Sequence, residues 1–429
     1  MKCVRPSLIP RPGLVDRPMS FVPGQSRNFA RDFIVVPCGK CFACTKARQD
    51  NFACRIRAEA DKRGSMSLVT LTYNEDNLPL VSTLWRISKE TGEMERLTDP
   101  DFVCYSRKED FYGYRKDFQE LQPSRFARFI DVPYGFEDDA YSYIMRLTPS
   151  VCRKDVQLWL KTCRNRAKCD GKVLEFSYAI CSEYGPRTCR PHYHCVFLGL
   201  PREDVEAFAR LWSFGYTDVC HVDRVNPDGS DGFGRVSDYI GKYIAKGTFE
   251  CDSVKCDAAC GTRMMSSKGL GSAIVEKFKP YVCGFDIVGA PYDLDTFFVP
   301  SKQRFLSRSE LVQLSTEIPK RLAVSFDGKR YFAFPRVLRN KIFYVEKKSE
   351  KGNVTYRRPS RIWKMVVDAI SKQYADLHQR EFEQFCAQYP PGKLREAIAA
   401  FYEMQEVSAK LADDIGKSRY QAKLSQSIF

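Results

Sequence analysis

The sequence predicts an α+β fold: a central antiparallel sheet with a split βαββαβ core, helices on one face, and a helical C-terminal region. Three observations carry this. Segments with strand or helix periodicity run as strand, helix, strand, strand, helix, strand, helix between Ser67 and Gly247. The two consecutive strands are joined by Tyr184–Arg190, a link short enough for an antiparallel hairpin. From Ser360 onward the pattern is helical.

Residues 1–30 hold several prolines and read as an extended arm. "PCGKCFAC" follows, then a helix with Phe52, Ile56 and Ala60 at helical spacing, stopped by Gly64. In "SLVTLTYNEDNLP", Leu68, Thr70 and Thr72 alternate with Val69, Leu71 and Tyr73, the pattern of a buried strand entering a turn. Residues 82–147 read as a long irregular insertion. "SVCRKDVQLWLKTCRNRAKCDG" places Val156, Trp159, Leu160 and Cys163 on one helical face and ends at Gly171. "KVLEFSYAICSE" and "RPHYHCVFLGL" are the hairpin strands. "PREDVEAFARLW" opens a helix with Pro201 and early acidic residues. "YTDVCHVDRV" is a strand, and after a Gly/Asp-rich loop "VSDYIGKYIAKG" is a short helix closing on Gly247. Three regions result: 1–64, the arm with a cysteine cluster and helix; 65–300, the sheet domain with its insertion at about 82–147; and 301–429, basic and partly helical.

The 429 residues are 44% hydrophobic and 28% charged, an ordinary globular balance. No apolar run approaches the roughly 18–20 residues that span a bilayer. The first residues lack an apolar core of the kind that directs secretion, so the expectation is a reducing, cytoplasmic compartment with its 18 cysteines as thiols or metal ligands. A net charge of +15 favours a polyanionic partner, nucleic acid before an anionic membrane.

Of four histidines, two are His192 and His194, separated only by Tyr193. In a strand, positions i and i+2 share a face, so the imidazoles project together and can hold one divalent cation. A solvated pair of polar residues is the plainer account. Glu183 ends the preceding strand and should lie across the hairpin from His192, making a carboxylate and two imidazoles an open site. Such donors suit Mg²⁺ or Mn²⁺ when phosphate shares the coordination. Glu175 and Asp223 are fallback carboxylates, and His221 reads as structural. Tyr239 and Tyr243 stand at i and i+4 on one helical face, each followed three positions later by lysine, Lys242 and Lys246. Core packing explains such a pair equally; beside a cation and a lysine, a phenol also becomes a nucleophile.

The combined pattern resembles the HUH endonucleases, named for histidine–hydrophobe–histidine, and its order matches their rolling-circle replication initiators. "CGKCFAC", "EYGPRTCRPHYHCVFLG", "YIGKYIAKG", "MMSSKGLG" and "FPRVLRNKIF", across about residues 35–345, are similar to the replication initiators of Microviridae, the gokushovirus-like single-stranded DNA phages above all. The resemblance implies that His192, His194 and Glu183 hold Mg²⁺ or Mn²⁺. Tyr239 and Tyr243 would attack in turn through 5′-phosphotyrosine, with Lys242 and Lys246 neutralising phosphate. It further implies a double-stranded replicative form and single-stranded viral DNA as partners, a host helicase and DNA polymerase, no membrane, and the bacterial cytoplasm. A transposase or plasmid-type nickase of the same class, and a non-catalytic basic DNA-binding protein, are the competing readings.

Two motifs remain. Cys38, Cys41 and Cys44 form C-x₂-C-x₂-C, either free thiols or three ligands of a structural zinc that Cys54 or Cys3 would complete. Cys251, Cys256 and Cys260 are spaced more loosely and read as thiols. Arg336–Lys364 carries ten Lys/Arg against two acidic residues, with Phe343, Tyr344, Tyr356 and Trp363 interleaved, a solvated basic face or a surface that stacks unpaired bases.

Overall fold

The computed structural model describes residues 7–10, 33–97, 105–106, 130–185, 190–249, 264–326, 331–348, 354–390 and 392–426. Cys3, Cys251, Cys256 and Cys260 lie outside the described residues. The chain forms two compact units, Arg55–Gly271, and Met1–Cys54 together with Ser272–Phe429.

The first unit is built on the predicted core. The helix α1 (Phe42–Arg63) leads into strand β1 (Met66–Tyr73). Helix α2 (Arg153–Cys169), the hairpin β2 (Ser177–Tyr184) and β3 (Pro191–Leu198), helix α3 (Arg202–Arg210) and β4 (Gly215–Val222) follow. The strands order as β4-β1-β3-β2, every pair antiparallel, with Met264–Ser266 adding a fifth strand beside β2. Strand β3 is therefore bonded on both edges, and its two faces meet different surroundings.

One face is the hydrophobic core. Tyr193, Cys195 and Phe197 of β3, with Val69, Leu71 and Tyr73 of β1, pack against Val156, Trp159, Leu160 and Cys163 of α2 and Val205 and Phe208 of α3. Both helices of the βαββαβ pattern thus lie on one face of the sheet. The Trp159 indole N–H donates to the Phe208 carbonyl at 2.9 Å, and Tyr73 donates to Asp155 at 2.7 Å. Burying the polar tips of these aromatics is tolerated because each finds a partner. The opposite face carries His192 and His194 and is met by the helix α4 (Gly232–Phe249) and the C-terminal half of α1.

Two expectations need correction. The insertion at 82–147 is not irregular where it is described. Leu80–Ser88, Met94–Arg96, Ile130–Glu137 and Tyr141–Pro149 form an antiparallel sheet, and Tyr105–Ser106 pairs with Leu80–Ser88. Where described, its strands are mostly half-buried along their length, without the alternation that marks a strand against a core, and Arg86 pairs with Glu95 across two of them. Helix α4 starts at Gly232, inside the expected loop. Asp231 caps it, accepting from the Gly234 N–H at 2.9 Å, and the Phe233 ring is buried beneath the Arg57 guanidinium. A Cβ at Gly232 would come within 2.1 Å of the Asp223 carbonyl oxygen, so only glycine admits this start.

The second unit is largely helical. Arg308–Arg321 opens with a capping box between Ser307 and Glu310. Arg361–Cys386 is capped by Ser360, and Leu394–Gln426 packs Phe401 against Phe382 and Phe385. The C-terminal region is helical as expected. Among the described residues, no helix is long and apolar enough to cross a membrane. In the basic segment, Phe343 and Trp363 stack on each other at 4.8 Å and are buried, so they serve the core and are not presented to unpaired bases. Tyr344 is half-buried, and the Tyr356 side chain lies outside the described residues.

Candidate active site

The period of β3 decides the site. His192 and His194 project to one face while Tyr193, between them, enters the core, where its hydroxyl bonds to the backbone of Cys152. In the ladder, Glu183 stands directly opposite His192, as the hairpin predicted. Its carboxylate, however, reaches diagonally to His194, with Nε2 and Oε2 3.1 Å apart. A carboxylate only accepts, so the imidazole donates from Nε2, and Nδ1 accepts from the Thr70 hydroxyl at 3.4 Å. On the other side, Thr72 Oγ1 lies 2.9 Å from His192 Nδ1. The histidines thus stand on two threonines of β1 in register with them, His192 with Thr72 and His194 with Thr70.

These threonines were visible in the sequence as a pair at the same i, i+2 spacing as the histidines, yet were not singled out there. They fix ring orientation; were a metal bound at Nε2, each Nδ1–H would instead donate to its threonine oxygen, the support usual behind metal-ligating histidines. Gly185 was also missed. It closes the hairpin, its N–H bonding the Arg190 carbonyl at 2.9 Å, and an added Cβ would sit 3.0 Å from His192 Nε2.

The tyrosines of α4 lie over the same face. The Tyr243 ring stacks on His194 with centroids 4.6 Å apart and planes inclined by 13°. The Tyr239 ring meets His194 edge-on at 5.5 Å, and the two tyrosines meet edge-to-face at 5.1 Å. Their environments differ. Tyr239 is 38% exposed and Tyr243 only 6%. Burial first, and then hydrogen bonding to Tyr239 and to the Glu183 carboxylate, raise the Tyr243 pKa far above the ordinary phenol value. Lys242 is half-buried on α4; Lys246 lies on the same helix, with its side chain outside the described residues.

Residues 141–248 match the model of a protein family described as replication-associated protein ORF2. That stretch contains Glu183, both histidines and both tyrosines, and covers the sheet strands β2 to β4. The similarity supports a role in replication. No curated protein and no solved structure matches the chain.

Two imidazoles and a carboxylate on one sheet face are donors of the kind a divalent cation takes, but among the described residues only Cys38, Cys41 and Cys44 bring three such donor atoms within 4.8 Å of one another. Burial, followed by the neighbouring His194, lowers the His192 pKa and favours the neutral ring that a metal requires. An ion held by all three would replace the hydrogen bond between His194 and Glu183. The fallback ligands are elsewhere. Glu175 is exposed and precedes β2, at the opposite end of that strand from Glu183, and Asp223 pairs with Arg202 at 2.8 Å. His221 stands opposite Ser67 on the core face, bonded to Ser67 at 2.9 Å and Glu206 at 3.3 Å, a satisfied structural histidine.

Proposed function

We propose that this chain is a phage replication initiator that nicks the double-stranded origin and later rejoins the displaced strand. The observation that carries the reading is the packing of two tyrosine rings, one exposed and one buried, against the same histidine. His192, His194 and Glu183 would hold Mg²⁺ or Mn²⁺, which when bound withdraws charge from the scissile phosphate. The Tyr239 oxygen attacks phosphorus, the bond from phosphorus to the 3′ oxygen breaks, and the 3′-hydroxyl is released as the 5′ end becomes a phosphotyrosine. That hydroxyl primes a host polymerase behind a host helicase. Tyr243 then attacks at the regenerated origin, and the new 3′-hydroxyl of the displaced genome attacks the stored phosphotyrosine to close a circle. Each step exchanges one phosphodiester for another, so no nucleotide hydrolysis is needed. Lys242, beside the tyrosines on α4, offers a cation to the phosphate. The setting is the bacterial cytoplasm.

The test is a denaturing gel of purified protein mixed with supercoiled origin DNA in Mn²⁺ or EDTA. An adduct that survives SDS, requires the metal and vanishes in Tyr239→Phe/Tyr243→Phe is expected. Folded wild-type protein that gives no adduct in Mn²⁺ defeats the proposal and leaves a basic DNA-binding protein.

A further inference from the structure

We propose that Cys38, Cys41 and Cys44 form a mononuclear zinc site at the start of α1, independent of the histidine site. The three Sγ atoms all lie within 4.8 Å of one another, and Cys38 and Cys44 are 3.9 Å apart. With Zn–S bonds of about 2.3 Å, tetrahedral geometry puts thiolates roughly 3.8 Å apart, close to that separation. A disulfide would need about 2 Å. A [4Fe–4S] cluster binds each cysteine to a different iron and would hold the thiols further apart.

The backbone is arranged for thiolates. Gly39, at φ +76°, turns the chain so that the amides of Lys40 and Cys41 point back at Cys38 Sγ, at 3.5 and 3.4 Å. Such N–H donors stabilise the deprotonated sulfur that a metal binds. Cys41 immediately precedes α1 and Cys44 lies in its first turn, where the helix dipole also favours negative charge. Buried cysteines of the sheet core also neighbour one another, Cys195 with Cys181 and Cys163, but among the described residues only Cys38, Cys41 and Cys44 bring three Sγ atoms within 4.8 Å of one another. Burial pushes the Cys163 and Cys283 thiols up to about 12. Cys54 does not belong to the trio: it lies nearly three turns beyond Cys44, about 15 Å along the helix axis. The trio supplies three donors of a tetrahedral site, and the fourth comes from outside it.

The full chain, purified without chelators, is expected to contain stoichiometric zinc. Replacement by Co²⁺ should give intense thiolate-to-cobalt absorption, and X-ray absorption should show at least three sulfur neighbours. Cys38→Ser and Cys44→Ser should each lose the metal, whereas Cys54→Ser and His192→Ala/His194→Ala should retain it. If the serine variants do not fold, alkylation of the wild-type chain decides: the peptide bearing the three cysteines should be protected until a chelator is added. The proposal is overturned by protein that carries no zinc and takes up no Co²⁺, or by iron with acid-labile sulfide in place of zinc. Zinc retained in Cys38→Ser, or alkylation indifferent to chelator, overturns it equally.

Discussion

Gly185→Ala isolates the position of one imidazole nitrogen. The added Cβ would lie 3.0 Å from His192 Nε2 and 3.6 Å from both His192 Cδ2 and the Arg190 carbonyl. Ordinary contact begins near 3.4 Å, so the ring must yield by a few tenths of an ångström. It cannot simply slide away, because Nδ1 is tethered to Thr72 at 2.9 Å. Metal–ligand bonds tolerate displacements of only about 0.2 Å, and disturbing the support of a ligating histidine typically weakens binding about 10–100-fold. That range is expected for Mn²⁺ affinity, measured by the signal of unbound Mn²⁺ during titration, with the metal requirement of adduct formation rising in parallel. Gly185 does not adopt a left-handed φ, so alanine imposes no backbone strain, and the thermal midpoint should hardly move. Unchanged Mn²⁺ affinity in a well-folded variant would refute the assignment of His192 as a ligand through Nε2.

The tyrosines should separate. Tyr239→Phe removes the exposed phenol and is expected to abolish the first adduct; Tyr243→Phe should still nick and hold DNA but fail to release circles, both read on one denaturing gel. The reverse pattern would assign first cleavage to the buried residue. Tyr193→Phe deletes a hydroxyl bonded to Tyr73 and to both backbone groups of Cys152. It should cost about 1–3 kcal/mol in denaturant unfolding and leave Mn²⁺ affinity untouched, since this side chain faces the core. Glu310 is held at about 2, well under its ordinary 4.5, first by Arg304 and then by the Ser307 N–H. A depressed carboxyl stabilises the fold above its unfolded pKa and loses that contribution as pH falls through about 2. Glu310→Gln should therefore be less stable than wild type near neutrality, with the gap in thermal midpoint narrowing below pH 4.5 and closing near pH 2. A gap independent of pH would show that the capping box contributes nothing through charge.

Much of the site was legible because it rests on periods. Alternation put His192 and His194 on one face, and i, i+4 spacing put Tyr239 and Tyr243 together. What escaped depends on side-chain reach and on contacts distant in sequence. Strand register placed Glu183 opposite His192, but its carboxylate leans to His194, and register does not report that diagonal. The threonines beneath the histidines come from β1, with α2, β2 and the inserted sheet intervening in the chain. Gly185 reads only as a turn residue until the ring beside it is placed. In the basic segment, Phe343 and Trp363 looked like stacking groups because charge surrounds them in sequence, whereas in space they face each other.

The alternation along β3 also limits how this protein can change over generations. One residue gained or lost between His192 and His194 would send one imidazole into the tryptophan-lined core and bring a core side chain out beside the tyrosines. Hairpin loops in the sheet between β1 and α2 face no such parity, since residues can enter a turn there without reassigning any ligand. Natural length variation should therefore collect in that region, while the histidine spacing stays fixed even where its neighbours drift.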